Sequence, residues 1–168
     1  HYLMRCPATR IHGLNKSREH IVTWTDAAGG SKFIACFWWS RRLGWKWTRW
    51  QAPTALVERL LEREDEYIGI LELLGVIIAF TTFHHLMEGQ AWTSWCDNQG
   101  VVGMVIHGSC LSVDANSFIG QFWLMLAKAQ MAFEIGRVAS KTNIADGPTR
   151  GSLAWVEAVG AIYHTPIV

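Results

Sequence analysis

Apolar positions fall into short blocks early in the chain and into helix-length blocks later. HIVTWTDAAGG (20–30) is rich in β-branched and aromatic residues and ends in a Gly pair, so it reads as a strand running into a turn. SKFIACFWWS (31–40) and RRLGWKWTRWQ (41–51) predict two more strands joined by a short polar turn. Three strands in such quick succession suggest an antiparallel meander. TALVERLLERE (54–64) is a short amphipathic piece, and a longer helix covers about 66–85 with almost no polar face. Strand signals return in AWTSWCD (91–97) and in EIGRVAS (134–140). Between them NQGVVGMVIHG (98–108) predicts a short helix. A second helix, capped by Asp114 or Ser117, runs to about Phe133 with Phe118, Phe122, Leu126 and Ala129 on one face. KTNIADGPTRG (141–151) is a loop, and Ser152 caps a last helix over 153–163.

The resulting order, β-β-β-α-β-α-α-β-α, implies an α/β fold. A meander followed by crossovers gives a mixed five-stranded sheet, three antiparallel strands and then two parallel, flanked by helices. Residues 1–18 are basic and without period, and are expected to form a linker or N-terminal arm; 19–168 form one domain. A chain of 168 residues suffices for one sizeable core.

Composition narrows the function little. Half the residues are hydrophobic, which argues against disorder, and the net charge of +1 points to no partner by itself. Cys6, Cys36, Cys96 and Cys110 form no C-x-x-C pair, which suggests neither a zinc site nor a disulfide framework; Cys36 and Cys96 read as core residues. With no signal-peptide pattern, an intracellular setting (cytoplasmic or nuclear) is expected. The chain starts at His1, as a fragment of something longer would. The segment Tyr67 to Phe83 approaches the length of a membrane span, but Glu72 in its middle favours a buried core helix and no membrane partner.

That lone acid directs attention to chemistry. Buried carboxylates need a partner or a metal, and neither Lys nor Arg lies one turn from Glu72, where Ile68, Gly69, Gly75 and Val76 stand. Three further acids sit outside charged surroundings: Asp26 and Asp97 at strand ends and Asp146 in the loop before the last helix. Singly, each is an ordinary turn residue. If the first and fourth strands are neighbours, however, Asp26 and Asp97 end side by side, and a helix across the sheet can bring Glu72 to them. Clustered carboxylates repel, and hard divalent cations relieve that repulsion.

The segments TDAAGG, ILELLGV, CDNQGVV and SKTNIADGPTRG resemble the four acidic motifs of the ribonuclease H fold. More narrowly, they resemble the ribonuclease H domain that follows reverse transcriptase in retrotransposons, in the style of the DIRS group and less closely the gypsy group. The resemblance spans about 19–165 in order and spacing. It implies hydrolysis of the RNA strand of an RNA–DNA hybrid, with Asp26, Glu72, Asp97 and Asp146 holding two Mg²⁺ or Mn²⁺ ions. It also implies contact with the hybrid by Ala27, Ala28, Gly29, Asn98 and Gln99, and a preceding reverse transcriptase domain. Lys141 and Arg150 are candidate substrate contacts. Many cellular members carry a His before the last acid; ASKTNIAD has none, so slow turnover is expected, with Lys141 as a candidate substitute. Alternatives are an inactive binding module of the same fold and a DNA-acting nuclease such as an integrase or resolvase. The tryptophans interleaved with Arg41, Arg42, Lys46 and Arg49 read as sheet packing before nucleic-acid stacking.

Overall fold

The computed structural model describes residues 19–61 and 67–168; the expected arm over 1–18 and the charged stretch 62–66 lie outside the described residues. The chain forms β1 (His20–Ala27), β2 (Phe33–Ser40), β3 (Gly44–Gln51), α1 (Thr54–Leu61), α2 (Tyr67–Met87) and β4 (Ala91–Cys96). It continues with α3 (Gln99–His107), α4 (Val113–Lys128), β5 (Ala132–Arg137), α5 (Asp146–Thr149), α6 (Ala154–Val159) and β6 (Ile162–Tyr163).

The sheet order is β5-β4-β1-β2-β3-β6. β1, β2 and β3 form the expected antiparallel meander, and β4 and β5 add in parallel beside β1. The sheet therefore has six strands, not five. The last helix stops at Gly160, whose φ of 62° lies in the left-handed region that glycine adopts at little cost. The chain then pairs Ile162 and Tyr163 with Lys46 and Trp47. Two residues are too short to leave a period in the sequence, so the prediction extended the helix through them.

Other boundaries moved for local reasons. Ser112, not Asp114 or Ser117, caps α4, accepting from the Ala115 amide at 3.3 Å. α4 ends at Lys128, and Gln130 turns the chain with φ 52°, so β5 begins at Ala132 instead of at 134. The loop over 141–151 contains the single turn α5, preceded by a 3₁₀ turn at Ser140–Thr142.

One sheet face packs under α2, α3 and α4, with Ile21, Trp38, Phe83, Trp92, Val105 and Phe122 at its heart. α2 is apolar all round, and 72% of its most apolar 18-residue window is buried. Each fully buried large side chain there, such as Leu71 or Phe83, contributes about 1.5–3 kcal/mol. The other face carries a row of paired residues, Trp95, Trp24, Phe37, Trp47 and Tyr163, running from β4 to β6. Ala145 and Val156 cover part of it, with Trp155 packed alongside. Trp38 and Trp47 are buried, Lys46 sits 5.9 Å from the Trp38 ring and Arg49 lies 4.4 Å from the Phe33 ring. Most of this aromatic and basic set is thus engaged in packing the sheet.

Candidate active site

β1 and β4 are parallel neighbours, with Thr25 opposite Cys96 at the end of the ladder. Asp26 thus lies at the C-terminal end of β1, beside Asp97, which immediately follows β4. α2 crosses β1 and β2 closely at Gly75, where a Cβ would sit 3.3 Å from Ile34 and 3.5 Å from Thr25. One turn before that crossing, Glu72 reaches the same strand ends. A carboxylate oxygen of Glu72, one of Asp97 and the Cys96 sulfur all lie within 4.8 Å of one another.

The electrostatics show the crowding. Glu72 is 8% exposed, and burial pushes its carboxyl up to about 7. A side-chain hydrogen bond from Asn98 opposes that rise, whereas the charges of Asp97 and Asp26 add to it. Asp26 is also raised, first by burial, then by Asp97 and Asp146, against the lowering effect of Thr149 and Arg150. Glu72 Oε2 and Asp97 Oδ1 are buried without a hydrogen-bond partner among the described residues. Two orphaned carboxylate oxygens facing one small volume are a poor arrangement for an apo protein and a good one for a hard divalent cation. The donor set therefore fits Mg²⁺ or Mn²⁺.

Asp146 arrives differently. It opens α5, and its Oδ1 accepts from Arg150 Nε at 2.6 Å, on the exposed side of the cluster. Polar ties hold this loop to the sheet. Asn143 Nδ2 donates to the Thr25 carbonyl at 2.9 Å, and Ser31 Oγ donates to the Thr149 carbonyl at 2.6 Å. The fully buried Thr149 hydroxyl lies 2.6 Å from Asp26 Oδ2 and 2.9 Å from the Asp146 carbonyl. Its single proton goes to the carboxylate when Asp26 is ionised, the stronger acceptor of the two. Asp26 is thereby left with one oxygen occupied and one to offer.

The residues expected to meet substrate are placed as follows. The Ala28 amide and carbonyl close the β1–β2 turn, with Phe33 and Lys32 as partners, and Ala27 is buried in β1. The Gly29 carbonyl accepts from Lys32 Nζ and faces the Tyr67 hydroxyl at 3.5 Å. Asn98 caps α3, its Oδ1 accepting from Gly100 and Val101 at 2.8 and 3.3 Å, so its amide is available to Glu72. Gln99 and Lys141 are exposed, while Arg150, also exposed, is paired with Asp146. Asn143, Thr149 and Cys96 escaped the sequence reading as site residues.

With this geometry in hand, known proteins give one consistent likeness. No protein-family profile and none of the curated proteins matches the sequence. Among solved structures, the chain is similar to LC11-RNase H1, isolated from compost by a metagenomic approach, at TM-score 0.51 and 11% identity over 77% of this chain and 90% of that one. LC11-RNase H1 in complex with an RNA/DNA hybrid matches at TM-score 0.53 and 10% identity, over 83% and 99%. RNase H1 of the halophilic archaeon Halobacterium salinarum NRC-1 matches at TM-score 0.50 and 12% identity, over 76% and 90%. The fold is thus of the ribonuclease H type, carrying a buried acidic group suited to a divalent metal.

Proposed function

We propose that this chain is a metal-dependent endonuclease that hydrolyses the RNA strand of RNA–DNA hybrids. The single observation that carries the reading is the convergence of Asp26, Glu72 and Asp97 on adjoining strand ends, with two buried carboxylate oxygens left without partners. The likeness to ribonucleases H1, one of them bound to a hybrid, supports the substrate class.

In this reading Asp26, Glu72, Asp97 and Asp146 hold two Mg²⁺ or Mn²⁺ ions. Such a pair supplies an acidified water and neutralises the departing 3′ oxygen. The chain's own residues arrange the donors. Thr149 fixes the Asp26 carboxylate, Asn98 fixes Glu72 while capping α3, and Arg150 keeps Asp146 beside the cluster. The exposed Gln99 and Lys141 are the side chains freest to approach the hybrid. The motif style supports an origin in a retroelement polyprotein, behind a reverse transcriptase domain.

The test incubates labelled RNA–DNA hybrid, RNA duplex and DNA duplex with the protein and Mg²⁺ or Mn²⁺. Only the hybrid should be cut, in its RNA strand, and Asp26→Asn and Glu72→Gln should abolish cutting. Cleavage of duplex DNA instead would move the assignment to a DNA-acting nuclease. Cleavage that survives both substitutions would remove the site from the reaction.

A further inference from the structure

We propose that the acidic centre has a thiol ligand, Cys96, and therefore takes a soft divalent cation such as Zn²⁺ or Cd²⁺ in competition with the hard ion of the nuclease. The proposal rests on the reading that this centre holds a divalent metal. It goes beyond that reading by naming a second class of ion and the residue that selects it.

Three observations carry it. The Cys96 sulfur, a Glu72 oxygen and an Asp97 oxygen lie mutually within 4.8 Å. Cys96 is fully buried at the end of β4, where it belongs to the apolar core while its sulfur borders the two acids. Glu72 is 8% exposed with Oε2 unpartnered, and Asp97 Oδ1 is also buried without a partner, so oxygen acceptors border the sulfur from α2 and from the residue that follows Cys96.

The chemistry separates the two ion classes. Zn²⁺ binds thiolate at about 2.3 Å and carboxylate at about 2.0–2.2 Å, so its donors sit roughly 3.5 Å apart. The three donors, now within 4.8 Å of one another, draw together to that spacing when the ion binds. Three protein donors leave a fourth position for water. On binding, the thiol proton passes to bulk solvent, so ion uptake releases a proton. Mg²⁺ demands oxygen donors and keeps its waters, so the sulfur adds nothing to its affinity. A soft ion seated on Cys96 occupies Glu72 and Asp97, and cleavage stops until a chelator removes it.

The test is Cd²⁺ binding by calorimetry and by the sulfur-to-cadmium absorption in the ultraviolet, with Mn²⁺ titrated in parallel. The background carries Cys6→Ser and Cys110→Ser, and Cys96→Ser is compared with Cys96→Ala to separate loss of sulfur from misfit. We expect one Cd²⁺ per chain with the absorption band, and a fall of at least about tenfold in the ratio of Cd²⁺ to Mn²⁺ affinity in both variants. An unchanged ratio and band in both variants would overturn the proposal while leaving the nuclease reading intact if Mn²⁺ still binds. Cd²⁺ held through Cys96 without any Mn²⁺ uptake would support the thiol site and count against the nuclease. Failure of the parent chain to bind either ion overturns both.

Discussion

Replacing Glu72 by Gln should stabilise the metal-free protein above neutral pH while removing its activity. The carboxyl is buried and faces two other acids, which lifts it from 4.5 to about 7. Between those values the folded chain holds a proton that the unfolded chain has already released. Stability therefore falls as pH rises through that window and stays low above it, where both states are ionised. Each unit is worth about 1.4 kcal/mol; allowing for solvent screening at the rim, the penalty at pH 8 is about 2–3 kcal/mol. Gln keeps the length, keeps a carbonyl for Asn98 and turns an amide toward Asp26 and Asp97. For a domain of this size 1 kcal/mol shifts the midpoint by about 2–4 °C, so the variant should melt roughly 5–10 °C higher at pH 8 in a chelator. At pH 4 the two proteins should melt together. Circular dichroism melts from pH 4 to 8 read this directly. Added Mn²⁺ should then stabilise the parent protein much more than the variant. A variant that melts lower at pH 8, or keeps the parent's pH slope, would refute the account of Glu72 as a strained, metal-awaiting acid.

Other substitutions probe the scaffold. Thr149→Val removes the hydroxyl that holds Asp26 Oδ2 and should weaken Mn²⁺ binding by about 10–100-fold in calorimetry, with Thr149→Ser restoring most of it. If Val and Ser bind equally, the hydroxyl has no positioning role. Asn143→Ala cuts the tie to the Thr25 carbonyl and the bond that Asn143 Oδ1 accepts from the Ala145 amide, which should cost about 1–3 kcal/mol in urea unfolding. Gly136→Ala would place a Cβ 2.5 Å from the Trp95 ring and should cost about 1–3 kcal/mol; pairing it with Trp95→Val should recover part of that loss.

What the sequence disclosed, and what it hid, follow from distance along the chain. Glu72 was legible because its anomaly is local: an acid with apolar neighbours on every side within one turn. The strand ends at Asp26 and Asp97 were legible because β-branched and aromatic blocks stop there. Asn143 and Thr149 were not, because their partners Thr25 and Asp26 lie 118 and 123 residues away, and a polar residue in a Gly-Pro loop raises no local question. Cys96 was read as core because it is indeed buried; only three-dimensional proximity to Glu72 and Asp97 gives its sulfur a second meaning. The same contrast separates the four acids physically. Asp26, Glu72 and Asp97 are set by sheet register and by a helix crossing, which side-chain substitutions rarely shift. Asp146 is set by a four-residue helix, a handful of loop hydrogen bonds and an exposed arginine. It is therefore the acid whose place the local loop can retune, and the one whose contribution should vary most when loop residues are exchanged while the sheet is left alone.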